Sequence, residues 1–234
     1  MKPAVESIMK FPGNPLPKKM PVEWKEKLFD RPVVVGIIGP IGVGKSTFTS
    51  ILSDRTGFIH FEERFAVNPF LEKFYLNPWE WSFKSQVWFL ENKIAQLSEM
   101  KPDASYIIDP ALAMDRLYAK TLTKIGRMSG AEFRTYDQLY KALIEARHVR
   151  TPDLYLWLDA KTPKLRERVI KRGREYELNM LREYPYYLAE LRNEVRNFAS
   201  SQKGQDVIYV NASRDNFADE IHMNGLIERI KRNI

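Results

Sequence analysis

The sequence predicts an α/β fold, a five-stranded parallel sheet covered by helices on both faces, and three observations predict it. Short apolar runs alternate with helical patterns along most of the chain. The first run leads directly into a glycine-rich loop followed by a helix. Charged residues stand where later runs end, the edge at which parallel sheets collect ligands. The apolar runs fall at 33–38, 58–61, 105–109, 153–158 and 206–210, and helical patterns fill 45–55, 80–99, 112–125, 131–147, 163–172, 178–199 and 216–232. Strands that alternate with helices in this way pair in parallel and are buried on both sides.

Taken in order, residues 1–31 are rich in proline and lysine with little periodicity and are expected to form an N-terminal extension to one domain at 32–234. After the first strand, Gly39-Pro40-Ile41-Gly42-Val43-Gly44-Lys45-Ser46 fits the phosphate-loop pattern G-x-x-x-x-G-K-[ST]. The N–H groups of such a loop, through Thr47, converge on phosphate oxygens at the positive end of the next helix. Lys45 is expected to reach the β- and γ-phosphates, and Ser46 to place its hydroxyl on Mg²⁺. Phe48, Ile51 and Leu52 form the buried stripe of that helix.

The second run ends in Phe61-Glu62-Glu63-Arg64, which sets a carboxylate near a strand tip and within reach of the transferred phosphate. The third, Tyr106-Ile107-Ile108, ends in Asp109, placed to hold Mg²⁺ opposite Ser46. Between them lies an aromatic segment, 79–94, in which Gln86 and Lys93 are seven apart and share a helical stripe. A Gln amide donates and accepts at once, which suits the edge of an amino-bearing base. Trp81, Phe83, Trp88 and Phe89 either wall such a base or belong to ordinary core.

Thr162-Pro163 reads as a helix start with a capping hydroxyl, and Gly173 as its stop. Residues 161–174 hold seven Lys/Arg and one acid, so most of the net charge of +7 sits in one short helix. Arg168 and Arg172 share a face, with Arg174 just beyond. Guanidinium groups there either bridge phosphate oxygens or form a solvated charged face, to which Lys164, Arg166 and Lys171 are assigned. A compact cluster fits a triphosphate better than duplex DNA, which needs a broad basic stripe, so no nucleic-acid partner is expected.

Composition narrows the classes further. At 44% hydrophobic the chain can bury a core, and no apolar run approaches the ~18 residues of a bilayer span, so no membrane partner is expected. The absence of cysteine rules out disulfides and thiolate chemistry. It fits a reducing compartment, and with no apolar signal core at the N-terminus a cytoplasmic location is expected. His60, His148 and His222 are too scattered for a histidine metal site and read as surface or core residues.

Four blocks stand out together: GPIGVGKST, EERFAVNPFLEKFYLNPWEWSFKSQ, PDLYLWLDAKTPKLRERVIKRGREYE and YYLAELRNEVRNF. In their order and spacing they resemble the deoxyribonucleoside kinases, the family of deoxyadenosine, deoxyguanosine and deoxycytidine kinases. The resemblance runs from about Val33 to Phe217. It implies the phosphate-loop nucleoside-kinase fold with a short Arg-rich lid, ATP and Mg²⁺ as cofactors, a small deoxynucleoside as partner substrate, and a homodimer. By matched position it makes Glu63 the catalytic base, and Tyr75 with Glu177 the pair on the sugar 3′-hydroxyl. Gln86 becomes the base-reading amide, Lys93 stands where an Arg is usual, and Asp115 lies near the base. Arg168, Arg172 and Arg174 match the lid arginines.

The implied reaction is transfer of the γ-phosphate of ATP to the 5′-hydroxyl of a deoxyribonucleoside, a purine (deoxyadenosine foremost) or deoxycytidine. Two departures matter: Pro110 replaces the Arg that follows the strand-three acid, and Arg64 replaces a Pro after the base. Arg116 or Arg64 is expected to substitute for the missing Arg. The departures leave open a thymidylate-like monophosphate kinase, with Arg64 and Arg116 on the acceptor phosphate, and a non-catalytic nucleotide-binding relative.

Overall fold

In the computed structural model, the described residues are 29–62, 68–202, 206–214 and 217–234. Five strands, β1 (Val34–Ile38), β2 (Ile59–Glu62), β3 (Tyr106–Asp109), β4 (Leu154–Asp159) and β5 (Asp206–Asn211), form one sheet in the order β2-β3-β1-β4-β5, with every pair parallel. All five residues of β1 are buried although successive side chains point to opposite faces, so helices cover the sheet on both sides. The edge strands β2 and β5 are more open: their positions are exposed or half-buried, apart from the buried Ile208 of β5. The connection from β1 runs to β2 on one side, whereas the connection from β3 passes back over β1 to β4 on the other, so the direction of winding reverses between β1 and β3 and a crevice opens beyond their carboxyl ends.

Nine helices connect and cover the strands among the described residues: α1 (Lys45–Thr56), α2 (Leu71–Leu76), α3 (Pro78–Leu97), α4 (Ala113–Lys124), α5 (Gly130–Ala146), α6 (Thr162–Arg172), α7 (Glu175–Glu183), α8 (Tyr187–Ser201) and α9 (Glu220–Arg232). All five expected strands form within two residues of their apolar runs. The expected helix at 178–199 is instead α7 and α8. Tyr184, φ −127° and ψ 75°, is forced out of the helical region by Pro185, and the chain re-enters helix at Tyr187. The helix α2 is new, since six residues are too few to show a period. The last helix begins at Glu220 rather than 216, where the Asp219 carboxylate accepts from the His222 N–H at 3.0 Å. At α6, Lys161 occupies the cap position and Thr162 is already helical, so the Thr hydroxyl does not cap. Gly173 closes α6 as expected, with φ 69° and its N–H on the Val169 and Ile170 carbonyls.

Charged staples complete the fold around β1 and β4. Asp153 accepts from the Val34 N–H (2.8 Å) and from Arg31 (2.7 Å), and Phe29 packs on Phe58 at 5.7 Å, so residues 29–31 lie against the domain. At the carboxyl end of β4, Asp159 takes two 2.7 Å bonds from Arg192 of α8.

Candidate active site

A cleft of about 380 Å³ opens beyond the carboxyl ends of β1, β2 and β3. Its floor is the loop after β1. Gly44, with φ 98°, turns the chain into α1, so that Lys45, Ser46 and Thr47 form the helix's first turn at the cleft wall. Gly42, φ 81°, lies so close under α6 that a Cβ would stand 2.7 Å from the Leu165 carbonyl oxygen. Lys45 Nζ donates to the carbonyls of Gly39 (2.9 Å) and Pro40 (3.2 Å), folded back along its own loop. Gly39, Pro40, Ile41 and Val43 complete the loop, and Ile41 lines the cleft beside Gly42 and Gly44.

Two carboxylates face the loop from neighbouring strand tips, since Glu62 pairs in register with Asp109 and both line the cleft. Asp109 is 3% exposed. Burial raises its carboxyl above the ordinary range, partly offset by Lys45, a hydrogen bond from Ser46, and the nearby His60 and Lys93. One of its oxygens, Oδ1, is buried with no hydrogen-bond partner. A buried, orphaned carboxylate oxygen beside a loop hydroxyl is a donor set that suits a hard divalent cation. No cluster of three or more His, Asp or Glu is found among the described residues, so a Mg²⁺ ion here would rely on Asp109, Ser46, water and phosphate oxygens. Glu63 and Arg64 lie outside the described residues.

The inner end of the cleft is built by α3 and α4. Gln86, Phe89 and Lys93 follow one another at helical spacing along α3; Gln86 and Phe89 line the cleft and Lys93 lies below. Lys93 does not reach the cleft wall. Its Nζ donates to Asp115 Oδ2 at 2.7 Å, both side chains 3% exposed, and so fixes the Asp115 carboxylate that does line the cleft. The expected aromatic wall is corrected: of Trp81, Phe83, Trp88 and Phe89, only Phe89 contributes. Trp81 lies on another face of α3, stacked on Phe70 at 5.8 Å with Lys73 and Lys84 over its ring, and Trp88 packs edge-on against Phe89. Phe74, Tyr118 and Leu122 supply the rest of the wall. The spacing from Asp115 to Tyr118 and Leu122, three and seven residues, is a signal in the sequence that would have found the last two.

The third wall is the corner between α6 and α7. Tyr75 stacks on Tyr176 at 4.3 Å, and both line the cleft beside Glu177 and Tyr187. Burial raises the Tyr75 hydroxyl well above its ordinary pKa, with smaller contributions from Tyr187, Tyr176 and Glu177, so it stays a proton donor. Arg172 grips Glu177 with Nε at 3.0 Å and Nη2 at 2.6 Å, and Arg174 stands 3.7 Å from the same carboxylate. Arg168 turns elsewhere, bridging the Val43 carbonyl (3.1 Å) and the Ala212 carbonyl (2.7 Å), and it ties the loop to the segment after β5. Arg116 does not substitute for the Arg missing at Pro110. It pairs with Asp137 and lies over the Phe133 ring, away from the cleft.

A phosphate loop, an acid at a neighbouring strand tip, and a deep pocket carrying a base-sized wall and polar side chains define a nucleotide-dependent kinase with a small acceptor. Residues 35–234 match the sequence model of the family described as deoxynucleoside kinase, and the chain belongs to that family. It is 32% identical over 162 residues to the deoxyadenosine/deoxycytidine kinase of Bacillus subtilis (strain 168), covering 68% of this chain and 75% of that protein. It is also 32% identical over 143 residues to the deoxyguanosine kinase of the same organism, covering 61% and 68%. In structure it resembles the deoxyadenosine kinase from M. mycoides solved with dCMP and a flexible dCDP bound, with a TM-score of 0.73, 25% identity, and coverage of 86% of this chain and all of that one. As a family member the chain is an enzyme that phosphorylates deoxynucleosides. No helix among the described residues is long and apolar enough to cross a membrane.

Proposed function

We propose that the preferred acceptor is deoxyadenosine, with deoxycytidine second, and that the donor is ATP with Mg²⁺. The observation that carries the base preference is the pairing of Gln86 and Asp115 on one pocket end. Adenine and cytosine offer an exocyclic amino group to a carboxylate, and each pairs donor and acceptor with an amide. Guanine offers a carbonyl oxygen at the equivalent place, which a fixed carboxylate repels.

Glu63 is the proposed general base, which accepts the 5′-hydroxyl proton as attack develops. Tyr75 and Glu177 hold the sugar 3′-hydroxyl, and the grip of Arg172 on Glu177 supports this assignment. Lys45 leaves the Gly39 and Pro40 carbonyls to pair with donor phosphates. Arg172 and Arg174 at the Gly173 corner act as the lid, and a guanidinium has enough donors to keep Glu177 while reaching a phosphate oxygen. Arg168 joins them by exchanging the Val43 and Ala212 carbonyls for phosphate. Mg²⁺, held by Asp109 and Ser46, would neutralise charge on the phosphoryl oxygens.

Glu62 is the second candidate for the base, because it lines the cleft. Glu63→Gln is expected to lower kcat by roughly 10²–10⁴ with deoxyadenosine binding kept, and Glu62→Gln to leave kcat within a few-fold. The reverse pattern assigns the base to Glu62. The same assays, run with deoxyadenosine, deoxycytidine, deoxyguanosine, thymidine and their monophosphates, test the acceptor. Faster turnover of deoxyguanosine than of deoxyadenosine overturns the base preference, and turnover of monophosphates alone overturns the acceptor class.

A further inference from the structure

His60 lies in β2, two residues before the strand's end, and points across to the neighbouring strand tip. Its Nε2 stands 4.0 Å from Asp109 Oδ2. That nitrogen is buried without a hydrogen-bond partner, and so is Asp109 Oδ1. Two orphaned polar atoms on facing side chains are unusual in a folded core, because each gives up its hydration without gaining a partner. The imidazole N–H is complementary to the nearer oxygen, Oδ2, and a bond there leaves Oδ1, the oxygen without a hydrogen-bond partner, for the cation. A small rotation of either side chain closes the gap to hydrogen-bond length. The register of β2 on β3 makes this possible, with His60 beside Ile107 and Glu62 beside Asp109.

We propose that His60 is a positioning residue for Asp109: with its proton on Nε2, it donates to one carboxylate oxygen and so aims the other at the cation held between Asp109 and Ser46. Carboxylates that serve cations are commonly held this way by an outer hydrogen bond, and loss of the outer partner typically weakens the metal by about 10–100-fold. The inference rests on the Asp109–Mg²⁺ assignment above. It adds that the imidazole, rather than the loop alone, decides which oxygen is presented.

The test uses the full chain with Mn²⁺ and a non-hydrolysable ATP analogue, and reads bound Mn²⁺ by electron paramagnetic resonance. His60→Leu removes the donor, His60→Asn keeps an amide too short to reach, and His60→Gln places an amide N–H near the Nε2 position. Mn²⁺ affinity is expected to fall about 10–100-fold in the first two and to recover in the third. Equal weakening in all three overturns the donor role. Unchanged affinity in His60→Leu and His60→Asn, with weakening in Asp109→Asn, overturns the inference and leaves the Asp109 assignment standing. Unchanged affinity in Asp109→Asn overturns both. The wild type gives a readout independent of folding defects: the chain has three histidines, and the long-range ¹⁵N spectrum of the complex with Mg²⁺ and the analogue is expected to show the His60 proton on Nε2. A proton on Nδ1 alone overturns the proposal.

Discussion

Asp115 lines the cleft yet is 2% exposed, and it is held there by Lys93, which does not line the cleft. A buried pair of this kind is costly to break, because the surviving charge is left without a partner in a poorly polarisable surrounding. Lys93→Met is therefore expected to destabilise the protein by about 3–5 kcal/mol in urea denaturation, and an unchanged midpoint would show that Asp115 has other sufficient partners. Sequence spacing placed Gln86 and Lys93 on one stripe of α3. It could not show that the stripe descends into the core, so that the first lines the pocket and the second lies beneath it. Arg116 was legible as a nearby cation, but its direction was not, since the Asp137 that binds it lies on another helix.

Ion pairs tie one helix to another. Lys120 and Lys124, one turn apart on α4, reach the same carboxylate, Glu194 of α8, at 2.8 and 2.6 Å. Burial alone would raise the Glu194 carboxyl, but the two lysine ammonium groups beside it outweigh burial and hold it below its ordinary range. A carboxyl lowered on folding contributes stability that is present above its unfolded pKa and lost as the pH falls through the folded value. Glu194→Gln is expected to be less stable than wild type near pH 7 by about 1–2 kcal/mol, because the lysine heads stand partly in water, and the difference should shrink below about pH 4. Thermal melts at both pH values check this, and a constant difference would place the effect in packing. The break between α7 and α8 belongs to the same scale. Pro185 was visible in the sequence as a helix breaker, yet the continuous polar and apolar pattern on either side masked the corner that brings Tyr187 to the cleft.

Across the whole molecule, the loop after β1, the tips of β2 and β3, and the α6–α7 corner converge on one cleft from segments more than a hundred residues apart. A ligand that bridges them binds the folded chain alone and stabilises it. At a hundred times its dissociation constant, ATP is expected to add about 2.7 kcal/mol of stability. Lys45→Met should abolish most of that gain while leaving the melting point without nucleotide nearly unchanged. An ATP-dependent gain that Lys45→Met leaves unchanged would place the nucleotide elsewhere.

The sequence by itself determined the parallel α/β order, the phosphate loop, the acid at Asp109 and the family, because these rest on local pattern: period, turn chemistry and fixed spacing along one segment. Only the tertiary structure decided that Phe89, Phe74 and Tyr118 wall the pocket, that Arg168 binds the Val43 and Ala212 carbonyls while Arg172 holds Glu177, and that His60 faces Asp109. Each of those contacts joins segments remote in sequence, and a side chain's direction is fixed by what packs against it rather than by its neighbours along the chain.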